Sequence, residues 1–145
     1  MLIETLHPMT SARLAMIPVD ATLRTAASVL SNPHIGLLVV CDGNKRATGV
    51  VSKSDIVRHL TDAGVTEAPV LNLMSRNIVT CRPEDDLYAA WSKMTAQSLQ
   101  NMPVLGADST PLGVLDARDA LKILFDQEEN QERLLLNYIA GVGYQ

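Results

Sequence analysis

Apolar and polar positions along this chain follow one pattern that is used twice. A short apolar stretch, Ala15-Met16-Ile17, gives way to a polar break containing Pro18. Leu23, Ala26, Ala27 and Leu30 then fall at the i, i+3, i+4, i+7 spacing that lays one apolar stripe along a helix. The compact run Ile35–Cys41 reads as a buried strand, and Asp42-Gly43-Asn44-Lys45 as a turn. A second short strand starts at Gly49 and a second helix at about Ser54. The series returns as Ile78-Val79-Thr80, a break containing Pro83, the stripe Leu87/Ala90/Trp91/Met94 and the run Met102–Leu105. The turn Gly106-Ala107-Asp108-Ser109, a strand from Gly113 and a helix from about Arg118 complete it. The predicted order is β-α-β-β-α, twice.

Residue identities support the repeat. At an offset of 64, the gapless 46-residue stretch Ile17–Asp62 matches Cys81–Asp126 at nine positions. Among them are Leu23/Leu87, Ala26/Ala90, Val40/Val104, Gly49/Gly113, Val50/Val114, Asp55/Asp119 and Leu60/Leu124. A unit this small leaves one apolar face bare, and stacking two copies lets each cover the other. The expected fold is α+β: a first repeat over 1–65 and a second over 66–126, packed with pseudo-twofold symmetry, and a C-terminal helical tail over 127–145. Asp62–Leu73 joins the units. The tail is polar from Gln127 to Glu132 and apolar at Leu134, Leu135, Leu136, Tyr138 and Ile139, with Gly141 as its expected stop. It either folds back on its own domain or helps to bind a second subunit.

Composition narrows the function. With 47% hydrophobic and 19% charged residues over 145 positions, the chain can bury a core without staples and is not a disordered segment. No apolar run approaches the roughly 20 residues of a bilayer span, so no membrane partner is expected. The opening Met1-Leu2-Ile3-Glu4 does not read as a secretory leader. Cys41 and Cys81 lie in apolar surroundings without metal-ligand spacing, which suits buried free thiols and a cytoplasmic location. A net charge of −4, no basic cluster and only one Trp, three Tyr and one Phe argue against nucleic acid. His7, His34 and His59 show no metal spacing. Met16, Met94 and Met102 read as core filler. There is no Ser-His-Asp order, nucleophile elbow or P-loop, so no enzyme is expected. The partner is a small molecule, another protein, or both.

The candidate chemistry sits at two equivalent strand-to-helix junctions, Gly49-Val50-Val51-Ser52-Lys53-Ser54-Asp55 and Gly113-Val114-Leu115-Asp116-Ala117-Arg118-Asp119. One reading is purely structural: Ser52 with Asp55, and Asp116 with Asp119, fit helix caps with an acid in the first turn. The other uses the same geometry for a ligand. A helix N-terminus suits a phosphate, a cap hydroxyl can donate to it, and a carboxylate one turn in can accept from paired hydroxyls. Glycine permits close backbone approach. Lys53 could add charge there, and Arg58 and Arg118 are either phosphate contacts or i,i+3-type ion-pair partners.

These junctions, the doubled β-α-β-β-α unit and the Met102-Pro103-Val104-Leu105 strand resemble a tandem pair of cystathionine-β-synthase (CBS) domains, a Bateman module. Met9-Thr10, Met74-Ser75 and Val19-Asp20-Ala21-Thr22-Leu23 resemble that family as well, so the likeness covers about Met9 to Asp126. The tail, ending Leu136-Asn137-Tyr138-Ile139-Ala140-Gly141, is similar to those of small stand-alone bacterial CBS-pair proteins. The resemblance implies a non-catalytic sensor that binds AMP, ADP, ATP or S-adenosylmethionine between the repeats, with Mg as a possible companion. It implies that Asp55 holds the ribose, Ser52 the phosphate and the strand near Ile17 the adenine, with Gly49, Val50 and Lys53 alongside. Thr80, Gly113, Val114, Asp116, Arg118 and Asp119 form the second set. Asp116 departs from the family's Ser or Thr, and its carboxylate repels a phosphate unless a cation intervenes; the two clefts are therefore expected to be unequal. The resemblance further implies a homodimer through the second helix of each repeat, where Ile56, Val57, Leu60, Leu121, Ile123 and Leu124 offer apolar surface, and a regulated protein whose identity the sequence does not give. An interaction scaffold without nucleotide is the other reading.

Overall fold

The computed structural model describes residues 1–62, 64 and 66–143. A 3-10 turn (Ile3–Leu6) and α1 (His7–Ala12) precede the first unit, which runs β1 (Met16–Pro18), α2 (Leu23–Leu30), β2 (Leu37–Cys41), β3 (Ala47–Ser52) and α3 (Lys53–Asp62). After a 3-10 turn at Val70–Asn72, the second unit runs α4 (Leu87–Ala96), β4 (Asn101–Leu105), β5 (Pro111–Asp116) and α5 (Ala117–Gly143). The α+β architecture is the one the repeated pattern implies.

Both leading helices start on a side-chain cap. Thr22 accepts from the Thr25 N–H, and Asp86, 64 residues later, accepts from the Ala89 N–H. The apolar stripes then face inward, with Leu23, Ala26 and Leu30 buried in one unit and Leu87, Ala90 and Met94 in the other. β1 lies parallel to β2, and β2 antiparallel to β3. β4 and β5 pair antiparallel.

The strand expected over Ile78–Thr80 does not form. A single parallel bridge, Cys81 with Val104, stands in its place. In the first sheet the Val39 N–H donates to Ala15 O at 3.0 Å. The residue 64 positions beyond Val39 is Pro103, which has no N–H. The ladder therefore stops at the two bonds Cys81 can make, from its own N–H to Pro103 O (3.0 Å) and from the Leu105 N–H to its carbonyl (2.9 Å).

The segment leading into each unit packs on the other one. Leu2 bridges to Asp86, the Leu87 N–H donates to Met1 O, and Ile3 and Leu6 join the core of the second unit. Thr22 bridges to Pro69, the Leu23 N–H donates to Ala68 O, and Val70 joins the core of the first. A third cluster of Val39, Cys41 and Val114, flanked by Leu14 and Ala47, forms the seam between the two sheets. Burial along this seam and the crossed segments couples the units.

The tail departs from both the fold-back expectation and the expected stop. α5 spans 27 residues, about 40 Å at 1.5 Å per residue. No Gly or Pro interrupts Gln127–Ala140, so the helix that starts at the junction simply continues, through Gly141 to Gly143. Ile123 and Leu124 pack against the second core, whereas Leu134, Leu135, Leu136, Tyr138 and Ile139 are exposed rather than folded against their own domain.

Candidate functional site

The first junction is a reciprocal capping box. The Asp55 N–H donates to Ser52 Oγ at 3.3 Å, and the Ser52 N–H donates to Asp55 Oδ2 at 2.9 Å. The Asp55 side chain is 18% exposed, and its Oδ1 lies 3.4 Å from Nη1 of the solvent-facing Arg58. Each carboxylate oxygen retains capacity for another donor. Ser52 and Asp55 line an inter-repeat cleft of about 210 Å³ together with Leu37, Val50, Ser75, Asn77, Ile78, Val79, Leu99, Asn101 and Pro103. One wall is the β3–α3 junction; the opposite walls come from the second unit and the segment leading into it.

Glycine serves the protein's own packing here. A Cβ on Gly49 would stand 2.9 Å from Ser75 O, and one on Gly113 would stand 2.8 Å from the backbone carbon and Cβ of Thr10. Val50 and Ser75 exchange two backbone hydrogen bonds of 2.9 Å. Thus the Met9-Thr10 and Met74-Ser75 segments seat against the two glycines.

Ile17 and Lys53 of the first set do not gather around Asp55. Ile17 is a buried core residue at the edge of a separate hollow formed with Met16, Pro18, Cys41, Asp42 and Lys45. Lys53 is exposed and lines a groove of about 360 Å³ between α2 and α3. The extended segment that borders the Asp55 cleft is Asn77–Val79 of the second unit, because the lead-in segments cross between units. Thr80 faces another hollow, beside Asp85, Asp86 and Lys93, and its carbonyl accepts from Lys93 Nζ at 3.3 Å.

The second junction is built alike and filled differently. Asp116 is buried and caps α5, accepting from the N–H groups of Arg118 (2.8 Å) and Asp119 (3.0 Å). Val114 is buried in the seam. Asp119 receives both arms of a guanidinium: Arg13 Nε donates to Oδ2, and Nη2 donates to Oδ1 at 3.1 Å. Arg13 Nη1 donates to His34 O at 3.0 Å and lies 4.0 Å from Asp116 Oδ2. The Asp119 hydrogen bond holds the Arg13 guanidinium above its ordinary pKa, and burial opposes it. Arg118 Nη2 reaches to 3.8 Å of Asp116 Oδ2 from a largely exposed side chain. Arg13 is thus the cation shared by Asp116 and Asp119, with Arg118 beside Asp116 as well.

Sequence reading misses Arg13, Ser75, Asn77 and Asn101. Two of them are 64 residues apart: Arg13, bound to Asp119, and Asn77, on the wall of the Asp55 cleft. They lie outside the ungapped identity stretch, where the repeat carries few identical residues to flag them.

Among the described residues no group of three or more His, Cys, Asp or Glu is placed to hold a metal ion, and no helix is long and apolar enough to cross a membrane. Residues 4–62 and 70–126 match the sequence model of the CBS domain. A curated protein of 17.7 kDa from Acidianus ambivalens, uncharacterized, is 20% identical over 92% of this chain and 80% of its own length. The homoserine O-acetyltransferase of Methanococcoides burtonii is 25% identical over 77% of this chain, which spans only 22% of that enzyme. Among solved structures, a CBS domain pair in complex with 5′-methylthioadenosine and S-adenosyl-L-methionine superposes with TM-score 0.73 at 18% identity, covering 88% of this chain and 98% of the other. A CBS domain protein from Pyrobaculum aerophilum complexed with AMP gives TM-score 0.72 at 24% identity, over 82% and 89%. A family match on two segments that are also two equivalent folded units leaves one conclusion: the chain belongs to the CBS domain family.

Proposed function

We propose that this chain is a regulatory module that takes an adenosyl ligand in the cleft beside Asp55. The observation that carries the reading is the Asp55 carboxylate: partly buried, fixed by its cap, and on the wall of an inter-repeat cleft. Fold relatives were solved with AMP, 5′-methylthioadenosine and S-adenosylmethionine. Asp55 accepts from the ribose hydroxyls, and apolar Leu37, Ile78, Val79 and Pro103 pack the base. The α3 N-terminus favours one phosphate. The lining residues carry one carboxylate and no cation, so AMP, 5′-methylthioadenosine or S-adenosylmethionine fits better than ATP, whose further phosphates lack a counter-charge.

Ligand between the units biases their relative packing by its differential affinity for the two arrangements. A dimer passes that bias to a regulated protein. Exposed Val57 and Leu60 on α3, and Leu121 and Phe125 on α5, support pairing through these helices; Ile56 does not contribute, being buried in the first core. Isothermal titration with AMP, ATP and S-adenosylmethionine tests the proposal. Heat with AMP or S-adenosylmethionine that disappears in Asp55→Ala supports it, and no heat with any of the three leaves an interaction scaffold.

A further inference from the structure

We propose that Arg13 is a built-in occupant of the second cleft, so that each chain takes one adenosyl ligand rather than two. Asp119 is the counterpart of Asp55 at an offset of 64; Arg13 binds Asp119, while Asn77 lines the cleft beside Asp55. At the first cleft Asn77 leaves the space beside the carboxylate open. At the second, the longer Arg13 side chain crosses that space and engages both oxygens of Asp119 in a planar fork. The same guanidinium also binds His34 O and neighbours Asp116. It therefore ties the loop before β2 in one unit to the start of α5 in the other, using the carboxylate a ribose would need. The side chain of Arg13 is only 16% exposed, which limits screening by water. Asp116 in place of a hydroxyl suits this arrangement: it repels a phosphate and attracts the guanidinium.

The stoichiometry rests on the ligand reading above; the clasp does not, and two measurements separate them. The first is a double-mutant cycle by urea unfolding on Arg13→Ala, Asp119→Ala and the pair. The midpoint is expected to fall in each single variant and to fall in the pair by clearly less than the sum. Additive falls overturn the clasp. Arg13→Lys and Asp119→Asn break the fork with less disturbance and keep the cycle readable if an alanine variant does not fold. The second is titration of S-adenosylmethionine into the intact chain and into Asp119→Asn. One equivalent per chain, with affinity within twofold in the variant, is the expected result. Two equivalents, one of them lost in Asp119→Asn, overturn the closed second cleft. No heat in the intact chain with S-adenosylmethionine, AMP or ATP overturns the ligand reading and its stoichiometry, while the unfolding cycle still decides the clasp.

Discussion

Ser52 and Asp55 cap each other across the first turn of α3, and the carboxylate that closes this box is also the one exposed to the inter-repeat cleft. In the proposed reading, structure and ligand recognition therefore share a residue. Asp55→Ala is expected to lower nucleotide affinity by about 1.5–3 kcal/mol, the range for hydrogen bonds to a charged group. It should also cost about 1 kcal/mol of folding stability through the lost cap. Asp55→Asn keeps an acceptor for the Ser52 N–H and should recover most of the stability but little of the affinity. Arg58→Ala should change neither by much, since that ion pair is formed by a side chain 70% exposed. Titration calorimetry and urea unfolding on the three variants read both quantities; equal affinity in all of them places the ligand away from Asp55.

Gly113 is pressed against Thr10, and Gly49 against Ser75, at backbone atoms that cannot rotate aside. Alanine at either position is expected to destabilise by about 1–3 kcal/mol, as overpacking does in close-packed interiors. Gly43 has nothing within 4 Å of an added Cβ, so Gly43→Ala is the control and should be near neutral. Chemical unfolding of the three variants makes the comparison. A Gly113→Ala protein as stable as Gly43→Ala would mean that α1 does not seat on β5 as described.

The repeat, the element order and both acidic junctions are legible in the sequence because each is a local pattern, confirmed by its recurrence 64 residues away. Asp55 and Asp119 follow from Gly49 and Gly113 by counting. The partner surfaces are not legible, because they depend on which unit each lead-in segment crosses to. The family resemblance implies the strand near Ile17 at the Asp55 cleft, whereas the crossing brings Asn77–Val79 there. Arg13 escapes notice for the same reason: nothing local distinguishes a basic residue after a short helix from one that reaches a carboxylate 106 residues away. The missing strand at Ile78–Thr80 has a local cause, Pro103, but its effect lies in the neighbouring segment.

Pro103→Val restores the donor that Val39 supplies in the first sheet. The new N–H is expected to bond Val79 O and to extend the single Cys81–Val104 bridge into a short parallel strand like β1. The gain of one hydrogen bond, about 0.5–1.5 kcal/mol, is offset by the looser unfolded chain once proline is lost, about 0.4–1 kcal/mol. Stability should therefore move little. Hydrogen exchange is the better readout: the amide gained at position 103 should exchange slowly, at a rate comparable to that of the Val39 amide. Fast exchange there would show that something other than the missing donor keeps Val79 out of the sheet.

Cys81 sits 3% exposed in the second core, and burial, reinforced by Asp85 and opposed by Lys93, pushes its thiol from 9.0 up to about 12. Below pH 9 the thiol is neutral in the folded and unfolded chains, so its contribution to stability is fully present and independent of pH. Between pH 9 and 12 the unfolded chain releases this proton and the folded chain keeps it. Unfolding is then favoured by about 1.4 kcal/mol per pH unit for the one group. Other groups titrate in that range, so the useful quantity is the difference between the intact chain and Cys81→Ala. The variant should be less stable at pH 8, having lost buried side-chain volume, and its disadvantage should shrink as pH rises from 9 towards 12. Urea unfolding across that interval measures the difference, and a gap that stays constant would mean that the folded thiol ionises as readily as the unfolded one. The same burial predicts that Cys81 resists a thiol-specific reagent at pH 8 until urea unfolds the chain, because the thiolate is the reactive form.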